Sequence, residues 1–221
     1  ILLSLTLFSL SWTRRKTWLL AAGTFILGVG VTHKVDFVWV IGGIAVAALA
    51  FCASGLVRRL TARSTIVATA AFLAGASPIV AINLLTGGVS FAPFVTRFVT
   101  GSGLPRPPFL ESLLTRLTQI ANILNGEHLS MLYAGSPIET GLLSWVAPTA
   151  LGLSVLGVFL AGRLDPTQRS ALRALWLFVA AVLIASCFSP TVLHGHHLMA
   201  LFPFLHIIMA VFLIQLTQVL P

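Results

Sequence analysis

Three histidines, His194, His196 and His197, stand within four residues beside Ser189-Pro190, and a fourth, His206, follows Pro203 by three. Imidazole changes charge near neutrality. A cluster of this kind can bind a phosphate or pyrophosphate, pass a proton or ligate a metal. No carboxylate or cysteine lies close by and the spacing fits no standard metal motif, which argues against the metal. The plainer alternative is an interfacial loop, with Ser189-Pro190 ending one helix and the polar residues capping the next. His206 lies inside a long apolar run, about 13 Å beyond His197 if the chain between them is helical. There it could ligate a haem or chlorin, join a polar pocket or donate one interhelical hydrogen bond.

Two more places carry chemistry. His33, Lys34 and Asp36 interrupt an apolar region, where Lys34 either meets a lipid phosphate or snorkels to the membrane surface. Asn83 follows Pro78 near the end of another run and either caps that helix or hydrogen-bonds a substrate. Glu111, Glu127 and Glu139 are further candidate bases. No P-loop, dinucleotide glycine pattern, nucleophile elbow or zinc-protease motif is present.

These groups need a frame, and composition says which. Hydrophobic residues make up 57% of the chain and charged residues 8%, against about 25% charged in a soluble domain. So much apolar surface requires lipid as the main solvent. The apolar runs are long and continuous rather than short and alternating, which excludes a β-barrel. The expected fold is an all-α polytopic membrane helix bundle forming one transmembrane domain over 1–221. It has about seven spans, near 1–11 (partial), 17–32, 37–57, 64–85, 141–161, 174–188 and 198–220. The second and sixth are short for roughly 30 Å of hydrocarbon. Cys52 and Cys187 lie in apolar runs near opposite faces, so no disulfide is expected. Because the chain starts in one apolar run and stops just after another, it reads as a piece of a longer polypeptide.

Residues 86–140 form the one long polar segment. Within it, 108–124 has helical spacing, with Leu110, Leu113, Leu114, Leu117, Ile120, Ala121 and Leu124 on one face. Glu111, Ser112, Thr115, Arg116, Gln119 and Asn122 fall on the other. Such a helix lies flat in the membrane interface.

The net charge of +8 belongs to topology rather than to nucleic acid, for no basic patch is interleaved with aromatics. Arg14, Arg15, Lys16, Arg58, Arg59, Arg63, Arg163, Arg169 and Arg173 all fall in turns on one side of alternating spans. Lys34, Arg97, Arg106 and Arg116 fall on the other, with four of the five acids. The basic side is therefore cytoplasmic. Lys34, the 86–140 loop and the histidine cluster share the extracytoplasmic face.

Three patches resemble a known family. They are Gly23–Trp39 (GTFILGVGVTHKVDFVW), Gly75–Phe91 (GASPIVAINLLTGGVSF) and Gly195–Ala210 (GHHLMALFPFLHIIMA). They are similar to the membrane-embedded glycosyltransferases of the GT-C fold, of the protein O-mannosyltransferase and aminoarabinose-transferase type. The resemblance implies a protein of the bacterial inner membrane that transfers a sugar from a polyprenyl-phosphate donor on the extracytoplasmic face, without a further cofactor. Lys34, His194, His196, His197 and Asn83 would then contact the carrier. The family's catalytic aspartate sits in its first extracytoplasmic loop, and nothing here matches it; Asp36 follows a later helix. The resemblance thus implies the carrier cavity without the catalytic centre. A different class competes: a non-catalytic transmembrane subunit of a larger complex, packed through Gly/Ala-rich helices and contacting pigment or haem through His206. A transporter is disfavoured because the spans show no internal repeat.

Overall fold

The computed structural model describes residues 1–33, 37–59, 61–92, 96, 107–136, 145–160, 166–188 and 198–219. Every regular element among them is a helix. The helices are α1 (Leu2–Arg14), α2 (Thr17–His33), α3 (Phe37–Arg59), α4 (Ala62–Gly75), α5 (Ser77–Leu85), α6 (Phe109–Leu124), α7 (Glu127–Ala134), α8 (Val146–Leu160), α9 (Pro166–Cys187) and α10 (Phe202–Val219). A 3₁₀ turn, Met199–Leu201, precedes α10. The chain divides into two units: Ile1–Ile41 with Cys52–Pro105, and Gly42–Phe51 with Arg106–Pro221.

In the first unit α2 packs on α1 and α4. The α2–α4 contact is backbone on backbone. A Cβ added to Gly28 would collide with the Phe72 carbonyl oxygen, and one added to Gly75 with that of Phe25. These two glycines let the helices approach closely. The Thr32 hydroxyl reinforces the crossing by donating to the Gly75 carbonyl at 3.2 Å.

The run expected as one span over 64–85 is instead a bent pair, α4 and α5, with a 62° change of direction. Pro78 stands in the first turn of α5. It has no N–H for the Ala74 carbonyl, and its ring crowds that carbonyl. The Ser77 hydroxyl donates to the same carbonyl at 2.8 Å, so the break leaves it satisfied. At the other end of the run, α4 begins in a reciprocal cap between Thr61 and Ser64.

In the second unit α9 is the central element, in contact with α6, α8 and α10. Phe178, Val179 and Val182 of α9 and Phe204, Leu205 and Ile208 of α10 are all buried. The Phe178 and Phe204 rings meet edge to face at 4.8 Å between centroids. The middle of α3 joins this core, because Gly43 stands against Phe178 and Val182. Buried Ser154 and Ser186 bond carbonyls of their own helices, those of Leu151 at 2.6 Å and Leu183 at 2.7 Å.

Helix α9 is longer than the 174–188 stretch read from hydropathy. It starts at Pro166 and takes Arg169 and Arg173 into its first turns. Proline suits the first helical position, where its missing N–H costs nothing. Among the described residues Arg169–Cys187 is the one helix long and apolar enough to cross a membrane, and the α4–α5 pair also qualifies if counted as one bent span. Thr17–His33, Phe37–Phe51 and Phe202–Ile214 are shorter apolar helices.

Candidate functional site

The second unit contains an open apolar groove of about 310 Å³. Leu117, Ile120, Ala121 and Leu124 of α6 form one wall. Pro148, Leu151 and Gly152 of α8, Trp176, Val179 and Leu183 of α9, and Leu205 of α10 form the rest. At Gly152 an added Cβ would meet nothing within 4 Å, so the groove is open there. The Trp176 indole lines it, yet its Nε1 is buried without a hydrogen-bond partner. That unmet donor carries a desolvation penalty of about 1–3 kcal/mol.

Helix α6 fixes what surrounds the groove. Its residues advance by about 100° each, which divides the helix into three flanks. Ser112, Arg116, Ile120 and Ile123 are buried and face the protein. Leu110, Leu114 and Leu117 are exposed apolar residues, the first at 65%. Glu111, Thr115 and Thr118 form an exposed polar flank. The sequence places Ser112 and Arg116 on the polar side. In the fold these two turn inward, because packing against α8 and α9 takes the boundary between the apolar and polar sides.

Arg116 is thus a cation only 8% exposed. Its Nη1 donates to the Gln119 Oε1 at 2.8 Å, and it lies within electrostatic reach of Cys187 at the end of α9. It stands one helical turn before Ile120, a groove residue on the same flank. The start of α6 is anchored nearby, where Phe109 stacks on Phe188 at 5.6 Å. The sequence reading gave Arg116 no role. The signal available was its register with Ile120 and Ile123, four and seven residues on.

Of the residues singled out from the sequence, Lys34, His194, His196 and His197 lie outside the described residues, as do Asp36 and Glu139. Asn83 is described, and both ends of its amide serve the local fold. Its Nδ2 donates to the Ile79 carbonyl at 2.7 Å, and its Oδ1 accepts from the Ser90 N–H at 3.0 Å. It thereby ties the end of α5 to the turn at Gly87 and Gly88, both of which have positive φ. His206 is half-buried in α10. Its Nδ1 lies 2.8 Å from the Phe202 carbonyl oxygen, and its ring packs on Phe202 at 4.1 Å. A carbonyl can only accept, so Nδ1 is the donor of this hydrogen bond. His33 is exposed at the end of α2. Among the described residues no group of three or more His, Cys, Asp or Glu is placed to hold a metal ion.

The site this leaves is a hydrocarbon-lined groove with a buried guanidinium beside one end. It has no assembled acid–base pair or nucleophile among the described residues. Its lining is that of a site for an apolar chain. Comparison with protein-family models, with curated proteins and with solved structures finds no match for this chain.

Proposed function

We propose that this chain is the lipid-carrier-binding part of an integral-membrane glycosyltransferase-like protein, acting on a polyprenyl-phosphate-linked sugar at the extracytoplasmic face. The observation that carries the reading is Arg116: a cation drawn into the protein from a helix whose neighbouring flank is leucine. A soluble helix would turn those leucines inward and leave the arginine in water. The reverse arrangement suits a helix with lipid on one flank, water on the next and a packed polar interior on the third. About seven helices then cross the bilayer, α4 and α5 forming one bent crossing, with α6 in the interface. Lys34, His194, His196 and His197 share that face and complete the carrier's phosphate contacts.

The test is sugar transfer from a polyprenyl-phosphate donor by the full-length protein in vesicles. Joint replacement of His196 and His197 by alanine is expected to slow transfer by about 10- to 100-fold, the worth of one or two charge-assisted hydrogen bonds. An unchanged rate would remove both from the site.

One observation favours a second reading, a non-catalytic subunit that contacts pigment or haem. His206 Nδ1 lies 2.8 Å from the Phe202 carbonyl oxygen, the kind of hydrogen bond that orients a ligating imidazole. Purified native complex would then show a visible absorption band that His206→Ala removes; a colourless preparation rejects this reading.

A further inference from the structure

We propose that the cations at the α1–α2 turn and at the start of α4 hold the head group of an anionic phospholipid with two phosphates, of the cardiolipin kind. The proposal rests on the membrane placement given above, in which this end of the first unit is cytoplasmic, and not on the sugar carrier.

Three charges come from one turn. Arg14 ends α1, Arg15 and Lys16 make the turn, and α2 begins at Thr17. All three side chains are exposed. The turn is closed from within, because the Lys16 carbonyl accepts from the Ser11 hydroxyl and from the Leu19 N–H, each at 3.1 Å. Arg15 has φ of 54°, the left-handed conformation that glycine ordinarily supplies just past a helix end. An arginine there keeps the third charge in the turn at a backbone cost.

Helix α4 adds a fourth. A helix carbonyl points toward the C-terminus of its helix, and the Gly75 carbonyl meets Thr32, one turn beyond Gly28. The packed helices α2 and α4 therefore run in the same direction. Thr17 and Arg63 stand 11 and 12 residues before the crossing glycines, about 17 Å at 1.5 Å per residue. Exposed Arg63 thus lies at the same end as the turn, one helix over, and axes of packed helices are roughly 8–10 Å apart. A glycerol bridge between two phosphates spans such a gap, one phosphate at the turn and one at Arg63.

The protein itself does not neutralise these charges. Residues 1–105 hold eight Lys and Arg and one acid, Asp36, which in sequence follows the opposite end of α2. Among the described residues no side-chain hydrogen bond, ion pair or ring contact engages Arg14, Arg15, Lys16 or Arg63. The exposed apolar side chains around them select a lipid over a soluble phosphate. Trp12 and Trp18 flank the turn at 37% and 65% exposure, and indoles settle at head-group level. Ile66, one turn into α4 from Arg63, is 67% exposed and offers an acyl chain a surface. Clustered cations at that depth attract anionic lipid, and the guanidinium fork matches phosphate.

The experiment uses the full-length protein in phosphatidylcholine nanodiscs containing a little cardiolipin with a diazirine near the glycerol end of one acyl chain. Photolysis and peptide mapping are expected to label the Trp12–Trp18 stretch at least fivefold more than a phosphatidylcholine probe does. Joint replacement Arg14→Gln and Lys16→Gln is expected to remove that preference. Arg15→Gly suits the left-handed backbone, so it is expected to keep the melting temperature while cutting the labelling about threefold. Equal labelling by both probes, or labelling unchanged in the variants, would overturn the assignment. Displacement of the probe by millimolar glycerol 3-phosphate would also overturn it, since the site would then take a soluble phosphate. Carbonate extraction of native membranes reports on the membrane reading by itself. Protein that stays in the pellet yet shows no cardiolipin preference sinks this proposal alone.

Discussion

Single residues in this protein separate into those whose hydrogen bonds are closed locally and those left with something unmet. Asn83 belongs to the first kind: donor and acceptor are both used within the α5 end and its turn. The sequence left two tasks open for Asn83, a helix cap or a substrate contact, and the two bonds seen here are local ones. Asn83→Ala is expected to lower stability by about 1–2 kcal/mol through loss of both bonds. Thermal unfolding in detergent measures it. Trp176 belongs to the second kind. Its ring walls the groove while Nε1 lacks an acceptor. Trp176→Phe keeps most of the apolar surface and removes the unmet donor, so stability should stay within about 1 kcal/mol of the parent. Trp176→Ala should cost about 2–3 kcal/mol, somewhat under the value for a fully buried aromatic ring. The same unfolding assay separates the two.

At the scale of elements, α2 and α4 depend on the absence of side chains. Gly28 and Gly75 each face the other helix's backbone, which cannot yield as the tip of a side chain can. Either glycine replaced by alanine should destabilise the first unit by about 1–3 kcal/mol. The double variant should cost less than the sum, because the first replacement already forces the helices apart. Denaturation midpoints of the two single variants and the pair test this coupling. The elements also show what composition conveys and what it does not. The ends of α1, α2 and α6 agree with the sequence reading within a few residues, since charge clusters, Pro107-Pro108 and Gly126 mark them. The bend at Ala76 was hidden because hydropathy runs through it unbroken, while one missing N–H redirects the chain. The early start of α9 was hidden for the opposite reason: Arg169 and Arg173 read as a turn, although Pro166 opens the helix before them and arginine has a high helix propensity. Helix α7 was read as loop because its length, Glu127–Ala134, is too short to establish a period.

For the molecule as a whole, the sequence reading established helices throughout, and the described residues bear that out. It did not establish the groove, because the walls come from four helices up to 88 positions apart, from Leu117 to Leu205. No local pattern records such a meeting. The membrane reading makes a prediction at this scale. Single cysteines placed at Arg15 and Arg59 should be protected from an impermeant thiol reagent added to intact cells, and one placed at Glu111 should react. Equal labelling at all three positions contradicts the assigned sides. Alkaline carbonate should leave the protein in the pellet, because helices buried in hydrocarbon are not held there by charge.

The three-flanked helix α6 has one more consequence, for handling and redesign. Its leucine flank is kept apart from its packing flank, so Leu110 and Leu114 contribute little to holding the second unit together. They decide instead which solvent that surface tolerates. Exchanging both for glutamate would recast the flank as one that water accepts while Ser112, Arg116, Ile120 and Ile123 keep their places. On the proposed membrane placement, the same two positions are where a detergent belt would close during extraction, and where a purified sample would first stick to its neighbours when that belt is thin.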